Sequence, residues 1–323
     1  MYMKGICGLG NIGNSCYINA SLQILSSIPE LNDYLLTREK LIDIPDSIIT
    51  FEWIQLYKMI QQNHCSIGPH RFLERMKYVA NQKNRPEFSS SDQNDSVEYF
   101  AFLIDCMHNS LNRIDPNVKC ERPSYSFIRD YLDQLETKDC SMLQKLFVSC
   151  SLYQYIHPVT QQKEFSKLEH DFILALSIPE TRTVSLYDCF IETFKEELMT
   201  GDNAWFDEKE NVKKTVLKRS ALCYTPPILI LHLKRWRSNL SKKNVKIETP
   251  LELELQCFTI YPDSCKYELF GIINHEGNIQ TGHCYAYIKK DHWYSMNDHF
   301  IQSITPEQLI HESNYCLFYR KIK

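Results

Sequence analysis

This chain of 323 residues lacks most of the signs that would send it to a membrane, a nucleic acid or an oxidising compartment. No apolar run approaches the ~20 residues that a bilayer span needs. The longest, ILILHL from Ile228 to Leu233, is the size of a strand. The N-terminal MYMKGIC has no apolar signal core, so an intracellular site, cytoplasmic or nuclear, is expected. The net charge of -4 offers no basic field for nucleic acid. None of the thirteen cysteines stands in C-x-x-C spacing with another, so the common sequence sign of a structural zinc site is missing. An odd cysteine count without a secretion signal reads as free thiols under reducing conditions. Low-complexity tracts, repeats and long linkers are absent too.

What is present is ordinary for a globular protein: 43% hydrophobic and 24% charged residues. The first third reads as mainly helical. From Ser166 onward short β-rich runs dominate: FILALSI, PILILHL, LELELQCFTI, YELFGII, CYAYIKK and YCLFYRKI. Two polar stretches, roughly 154–166 and 200–219, interrupt that half. Helices first and antiparallel strands later predict an α+β protein, with a cleft between a helical part and a sheet part.

The chemistry concentrates first in CGLGNIGNSCYINASLQIL, Cys7 to Leu25. GLGNIG matches the G-x-G-x-x-G of dinucleotide-binding loops. That reading needs a preceding strand and a βαβ unit. Few residues precede Gly8, and no Val/Ile-rich second strand follows. The competing reading presents a thiolate. Ile18, Leu22 and Leu25, with Ile28 behind them, mark one face of a helix that stops before Pro29. Asn14 and Ser15 are suitable N-caps. Cys16 then falls in the first turn, where the helix dipole lowers a thiol pKa. Asn11 is placed to offer a side-chain donor to an oxyanion. The plain alternative is an inert buried cysteine.

A thiolate nucleophile needs a base, and the base needs an orienting group. GHCYAYIKKDHWYSMND, Gly282 to Asp298, reads as a hairpin turning at KKDH. A turn centred on Lys290 and Asp291 sets His283 across from Asp298, with Asn297 one position away. Incidental polar residues on a hairpin would look the same. In QNDSVEYFAFLID, Asp95 and Glu98 make a D-x-x-E capping box, opening a helix with Val97, Phe100, Ile104 and Leu111 on one face.

Together these segments resemble the ubiquitin-specific proteases, the papain-like deubiquitinases. The cysteine segment, the glutamine-aspartate segment from Gln93, PPILILHLKRW (Pro226 to Trp236), the histidine segment (Tyr267 to Asp298) and YCLFYRK (Tyr315 to Lys321) match family landmarks in order. The resemblance implies one catalytic domain over 1–323 with a thumb (about 5–135) and a palm (about 136–323), and fingers inserted at about 146–227. It implies Cys16 as nucleophile, His283 as general base and Asn297 as third member, with Asp298 a secondary candidate. It implies Asn11 in the oxyanion hole, and Asp95 as the carboxylate that holds the ubiquitin tail, with Glu98 one turn on. The expected partner is ubiquitin or a ubiquitinated protein, bound by a monomer with no cofactor. Two alternatives stay open: a protease for another modifier ending in Gly-Gly, and a module that binds ubiquitin without cutting it.

The sequence departs from the family most in the fingers. Family members often carry two C-x-x-C pairs binding zinc. Here IHPV (Ile156 to Val159) and DEKE (Asp207 to Glu210) occupy those places. The expectation is a protein without metal. Tyr153, Tyr155, Ile156 and Val159 would pack against Trp205 and Phe206 instead.

Overall fold

The computed structural model describes residues 5–38, 40–62, 66–113, 115, 117–260, 266–278 and 281–322. Ile279 and Gln280 of the histidine segment lie outside the described residues. The helical part begins with α1 (Cys16–Ser26), α2 (Pro29–Leu36), α3 (Asp46–Gln62), α4 (His70–Gln82), α5 (Pro86–Ser89) and α6 (Ser96–Leu111). Two further helices, α7 (Ser126–Lys138) and α8 (Met142–Phe147), lead into the strands.

The first sheet takes β1 (Ser149–Ile156) and β2 (Lys163–Asp171) from one hairpin. After β3 (Leu174–Ser177), β4 (Val184–Ser185) and α9 (Leu186–Phe194), the chain adds β5 (Glu197–Met199) and a small hairpin of β6 (Trp205–Asp207) and β7 (Val212–Lys214). Strand β8 (Val216–Tyr224) closes this four-stranded sheet in the order β2-β1-β8-β5. The second sheet is built on β9 (Ile228–Lys234). Beyond β10 (Ile247–Glu248) and β11 (Glu252–Glu254) come its long strands β12 (Lys266–Gly277), β13 (Gly282–Lys289), β14 (Trp293–Asn297), β15 (Phe300–Ile304) and β16 (Asn314–Lys321). Its order is β15-β14-β13-β12-β16-β9-β3, with β11 on β12.

The α+β expectation is borne out. Two readings of the strand half are corrected. The polar stretches at 154–166 and 200–219 hold strand, because β2, β6 and β7 have faces open to water and so carry polar side chains. LELELQCFTI yields only the three-residue β11, and the rest of it is not strand.

Helix α1 explains how the two parts join. The expected face of Ile18, Leu22, Leu25 and Ile28 is buried, but so is every residue of the helix. One core cluster runs from α1 through α3, α4 and α6 to Ile273 of β12, Ala286 of β13, Met296 of β14 and Phe318 of β16. A helix enclosed on all sides must satisfy its polar residues internally. Asn19 donates to the Leu9 and Gly10 carbonyls, Gln23 to the Cys7 carbonyl, and Ser21 to the Tyr17 carbonyl. The helical layer and the main sheet therefore meet at α1, and the start of α1 lies at their junction.

Candidate active site

Residues 11–15 form a tight turn that delivers Cys16 to the junction. Gly13 and Asn14 both have positive φ, at 66° and 52°. The Asn14 value is one that asparagine tolerates better than most residues. Ser15 occupies the N-cap position of α1, but its side chain makes no cap bond. Its hydroxyl instead accepts from the Ile12 N–H at 2.9 Å, while Asn11 Oδ1 accepts from the Ser15 N–H at 3.1 Å. The expected cap role of Ser15 is thus replaced by a loop staple. Among the described residues no side chain caps the first-turn N–H groups of α1, which suits an anion at Cys16.

Two glycines let this loop and the histidine strand come close to their neighbours. A Cβ on Gly8 would lie 2.6 Å from the His299 carbonyl oxygen, and one on Gly282 would lie 2.2 Å from His275 Nε2. The β14–β15 turn, Asp298 and His299, is therefore pressed against the cysteine loop. Asp298 fastens the contact with three bonds. Its backbone carbonyl accepts from Leu9 N–H at 2.9 Å, Oδ2 from Asn11 Nδ2 at 2.9 Å, and Oδ1 from Asn19 Nδ2 at 2.8 Å.

The hairpin register differs from the expected one by a residue. Lys289 pairs with Trp293 and Ala286 with Met296, so the position opposite Asn297 falls to Tyr285. His283 lies two residues beyond Tyr285 on the same face, and its ring stacks near that of Tyr285. It meets Asn297 diagonally, with Nε2 2.7 Å from Oδ1. Since Oδ1 can only accept, Nε2 carries the proton and Nδ1 is left as the basic nitrogen. Asp298 has turned away, with φ 51°, to hold Asn11 and Asn19.

Cys16, buried to 2% exposure, receives the Cys284 N–H at 3.4 Å and Gln93 Nε2 at 3.3 Å. Hydrogen bonds from the Cys284 thiol, the His283 ring, the Cys284 amide and Gln93 outweigh burial and pull the Cys16 thiol down to about 4. The same contact with Cys16, helped by Asn297 and by the charges of Cys16 and Asp298, raises His283 to about 9 against the effect of burial. A thiolate–imidazolium pair is the resting form across neutral pH. The other nearby imidazole behaves oppositely. Burial and the Lys242 ammonium, 3.0 Å from Nδ1, depress His275 to about 4, so it stays neutral.

Asp95 is the N-cap of α6 as expected, but only its half of the expected capping box forms, since the Glu98 carboxylate makes no return bond to the Asp95 N–H. Asp95 Oδ1 accepts from Val97 N–H at 2.8 Å and Glu98 N–H at 3.0 Å. The other oxygen accepts from the buried Tyr315 hydroxyl of β16, so the start of α6 is tied to the main sheet. Glu98 is exposed one turn further on. Four contributors escaped the sequence reading as individuals: Gln93, Cys284, Asn19 and Tyr315. Each lies inside or beside a recognised segment, and chain order gives no sign of which side chain points inward.

In the four-stranded sheet, His157 Nδ1 accepts the Val159 and Thr160 N–H groups at 3.3 and 3.2 Å and so closes the turn after β1. In the β6–β7 hairpin, Lys214 Nζ lies 2.7 Å from Asp207, 2.8 Å from Glu210 and 3.7 Å from Glu164. An ammonium sits where those carboxylates converge. Trp205 stacks on Tyr155 at 5.5 Å and on Phe165 at 5.9 Å, and Ile156 is buried. The expected packing thus holds for Tyr155 against Trp205, while for Ile156 the structure gives burial alone. The packing fails for Val159 (83% exposed) and Phe206 (48%), while Tyr153 takes the Lys218 ammonium over its ring. Phe165 of β2 supplies the missing wall because that strand lies directly beside β1.

A low-pKa thiolate at a helix start, against an imidazolium oriented by an amide, is the equipment of a cysteine hydrolase. The comparisons sharpen that class. The family model for ubiquitin carboxyl-terminal hydrolase matches residues 7–319, and the chain belongs to that family. It is 28% identical to ubiquitin carboxyl-terminal hydrolase 2 of Bos taurus over 349 residues, covering 98% of this chain and 55% of the relative. It is 25% identical to ubiquitin carboxyl-terminal hydrolase 21 of Homo sapiens over 360 residues, covering 98% and 62%. The chain therefore spans only somewhat more than half the length of these relatives. Its fold matches that of the SAGA Ubp8/Sgf11/Sus1/Sgf73 DUB module bound to ubiquitin aldehyde, with a TM-score of 0.77, 22% identity and coverage of 100% of this chain and 70% of that one.

Proposed function

We propose that this chain is a thiol deubiquitinase, cutting the peptide or isopeptide bond after the C-terminal glycine of ubiquitin. The observation that carries the reading is the Cys16–His283–Asn297 alignment, with the thiol held near 4 and the imidazole near 9. In this reading the Cys16 thiolate attacks the glycine carbonyl carbon. The oxyanion forms beside the Cys16 N–H and Asn11 Nδ2, which Asp298 keeps in place. The His283 imidazolium gives its proton to the departing lysine amine. The neutral ring then takes a proton from water, which hydrolyses the thioester and frees Cys16.

Asp95 and Glu98 border the path of the substrate tail, and Asp95 accepts N–H bonds from it with lone pairs that Val97, Glu98 and Tyr315 leave open. The helical thumb (about 5–135) and the sheet palm (about 136–323) clamp that tail, while the fingers (about 146–227) meet the body of ubiquitin. No metal or cofactor enters any step. The reading requires a reducing, intracellular setting, because Cys16 must remain a thiol, and a single copy of the chain supplies every group named.

The test is a set of covalent probes: ubiquitin and its Gly-Gly-ending relatives, each with a C-terminal electrophile. The ubiquitin probe is expected to label Cys16 and no other cysteine, and Cys16→Ala is expected to bind ubiquitin without turnover. Labelling by a ubiquitin-like probe alone would move the substrate to that modifier. Labelling at another cysteine would remove Cys16 from its role.

A further inference from the structure

The residue next to the imidazole is itself a cysteine, and it touches the nucleophile. Cys284 follows His283 on β13, and the two side chains leave the strand on opposite faces. His283 points with Tyr285, whereas Cys284 joins the core cluster that contains α1 and α6. Because Cys16 stands at the edge where β13 passes the start of α1, it meets both. The Cys284 N–H lies 3.4 Å from Cys16 Sγ, and each thiol shifts the titration of the other. That places the Cys284 backbone within one side chain's length of the nucleophilic sulfur, so rotation of two short side chains can join the sulfurs. Among the other described buried cysteines none lies beside a thiol drawn down as Cys16 is. Cys223, for example, donates its thiol to the Cys150 carbonyl, and burial raises both thiols.

We propose that Cys16 and Cys284 form a redox modification site, in which a hydroperoxide oxidises Cys16 and Cys284 resolves the product as an intramolecular disulfide. The proposal rests on the reading of Cys16 as a resting thiolate. In the first step Cys16 sulfur attacks the terminal oxygen of the hydroperoxide. The S–O bond forms, the O–O bond breaks, and the leaving alkoxide takes the His283 proton to become an alcohol. Cys16 is now a sulfenic acid. In the second step Cys284 sulfur attacks Cys16 sulfur, the S–S bond forms and the S–O bond breaks. The departing hydroxide takes the Cys284 proton and leaves as water. A dithiol reductant returns both thiols by exchange.

The order of events is built into the pair. In the resting enzyme the Cys16 thiolate holds the Cys284 proton and opposes its loss, together with burial. Oxidation of Cys16 removes that negative charge, which frees Cys284 to react at the moment it is needed. The outcome is an enzyme switched off by peroxide yet protected from sulfinic acid, a product that ordinary thiols do not reverse.

The experiment treats the full reduced chain with stoichiometric hydrogen peroxide, alkylates it and maps non-reduced peptides by mass spectrometry. The expected result is a Cys16–Cys284 cross-linked peptide, with loss of ubiquitin-probe labelling that dithiothreitol restores. In Cys284→Ala, whose melting temperature is measured beside wild type, dimedone is expected to trap Cys16 as sulfenic acid. Further peroxide then causes a loss of labelling that dithiothreitol does not restore. Wild-type Cys16 oxidised to sulfinic acid while Cys284 remains alkylatable would overturn the proposal, as would a disulfide from Cys16 to any other cysteine. If Cys284→Ala does not fold, the wild-type peptide map decides alone. The map needs no ubiquitin, and labelling of the unoxidised protein reports separately on the proposed function.

Discussion

Three amides and one carboxylate share a small space near Cys16, and their division of labour can be measured. Asn297 holds the His283 tautomer, whereas Asp298 holds Asn11 and Asn19. Asn297→Ala is expected to lower kcat and shift the alkaline limb of the pH profile, because His283 loses a partner that raises its pKa. Asp298→Ala is expected to cost about 10²–10³ in kcat, the scale of one lost oxyanion donor, with a smaller change in that limb. Steady-state kinetics of both variants across pH separate the roles, and an unchanged rate for Asp298→Ala would remove Asn11 from the oxyanion site. The wild-type profile follows from the same groups. The reactive pair needs Cys16 deprotonated and His283 protonated. Activity therefore rises as pH passes about 4 and falls as it passes about 9, giving a bell in kcat/KM. A rising limb near the ordinary thiol range would show instead that Cys16 rests protonated. Cysteine and histidine were legible at this scale because their chemistry is rare and their segments distinctive. Gln93 and Cys284 were not, since only the packed strand and helix reveal that both reach the same sulfur.

Elements carry side chains that serve structure and site at once, and α6 is the clearest case. Asp95 caps α6 and is held by Tyr315, while the proposed function asks it to hold substrate as well. Asp95→Asn separates the duties, because asparagine caps a helix as well as aspartate but carries no charge. The expected result is a melting temperature near wild type with a raised KM for ubiquitin substrates. Asp95→Ala is expected to lose about 0.5–2 kcal/mol of stability in addition. Equal KM for wild type and Asp95→Asn would leave Asp95 as a cap only. Around β6 and β7, where zinc-binding pairs would stand in the family, lie an aromatic stack and a lysine among carboxylates. Trp205→Ala removes two stacked pairs, each worth about 0.5–1.5 kcal/mol, and is expected to loosen β6–β7 without affecting the main sheet. A chelator is expected to leave melting and tryptophan fluorescence unchanged. Stoichiometric zinc surviving dialysis would show that His157 and the carboxylates around Lys214 rearrange to bind it. The sequence pointed to the Tyr155–Trp205 stack here but not to Phe165, which completes it. Val159 and Phe206 were named from proximity in the chain, whereas the β1–β2 pairing that brings Phe165 alongside is a matter of topology.

At the scale of the molecule, what matters is how the cores are divided. The largest core cluster joins α1, α3, α4 and α6 to strands of the main sheet, so the cysteine half and the histidine half of the site share one interior. A separate small cluster, with Ile128 and Leu132 of α7, Cys150 of β1 and Cys223 of β8, supports the base of the four-stranded sheet. The helix-then-strand order made the α+β class legible, because periodicity switches along the chain. The enclosure of α1 was less so, since a helix bearing Asn19, Ser21 and Gln23 reads as amphipathic until those groups find buried carbonyls. A shared core should open as a unit. Native-state hydrogen exchange is therefore expected to give one common opening energy for α1, α6, β12, β13 and β16. Smaller values, reached before global unfolding, are expected for β2 and β5 to β7, whose faces are open to solvent. Loss of probe labelling on heating should then follow the common unit and not the fingertip. If α1 and α6 open at an energy well below that of β12 and β13, the two halves are separate units. Catalysis would then depend on a docking equilibrium between them, and labelling would fade before the main sheet melts.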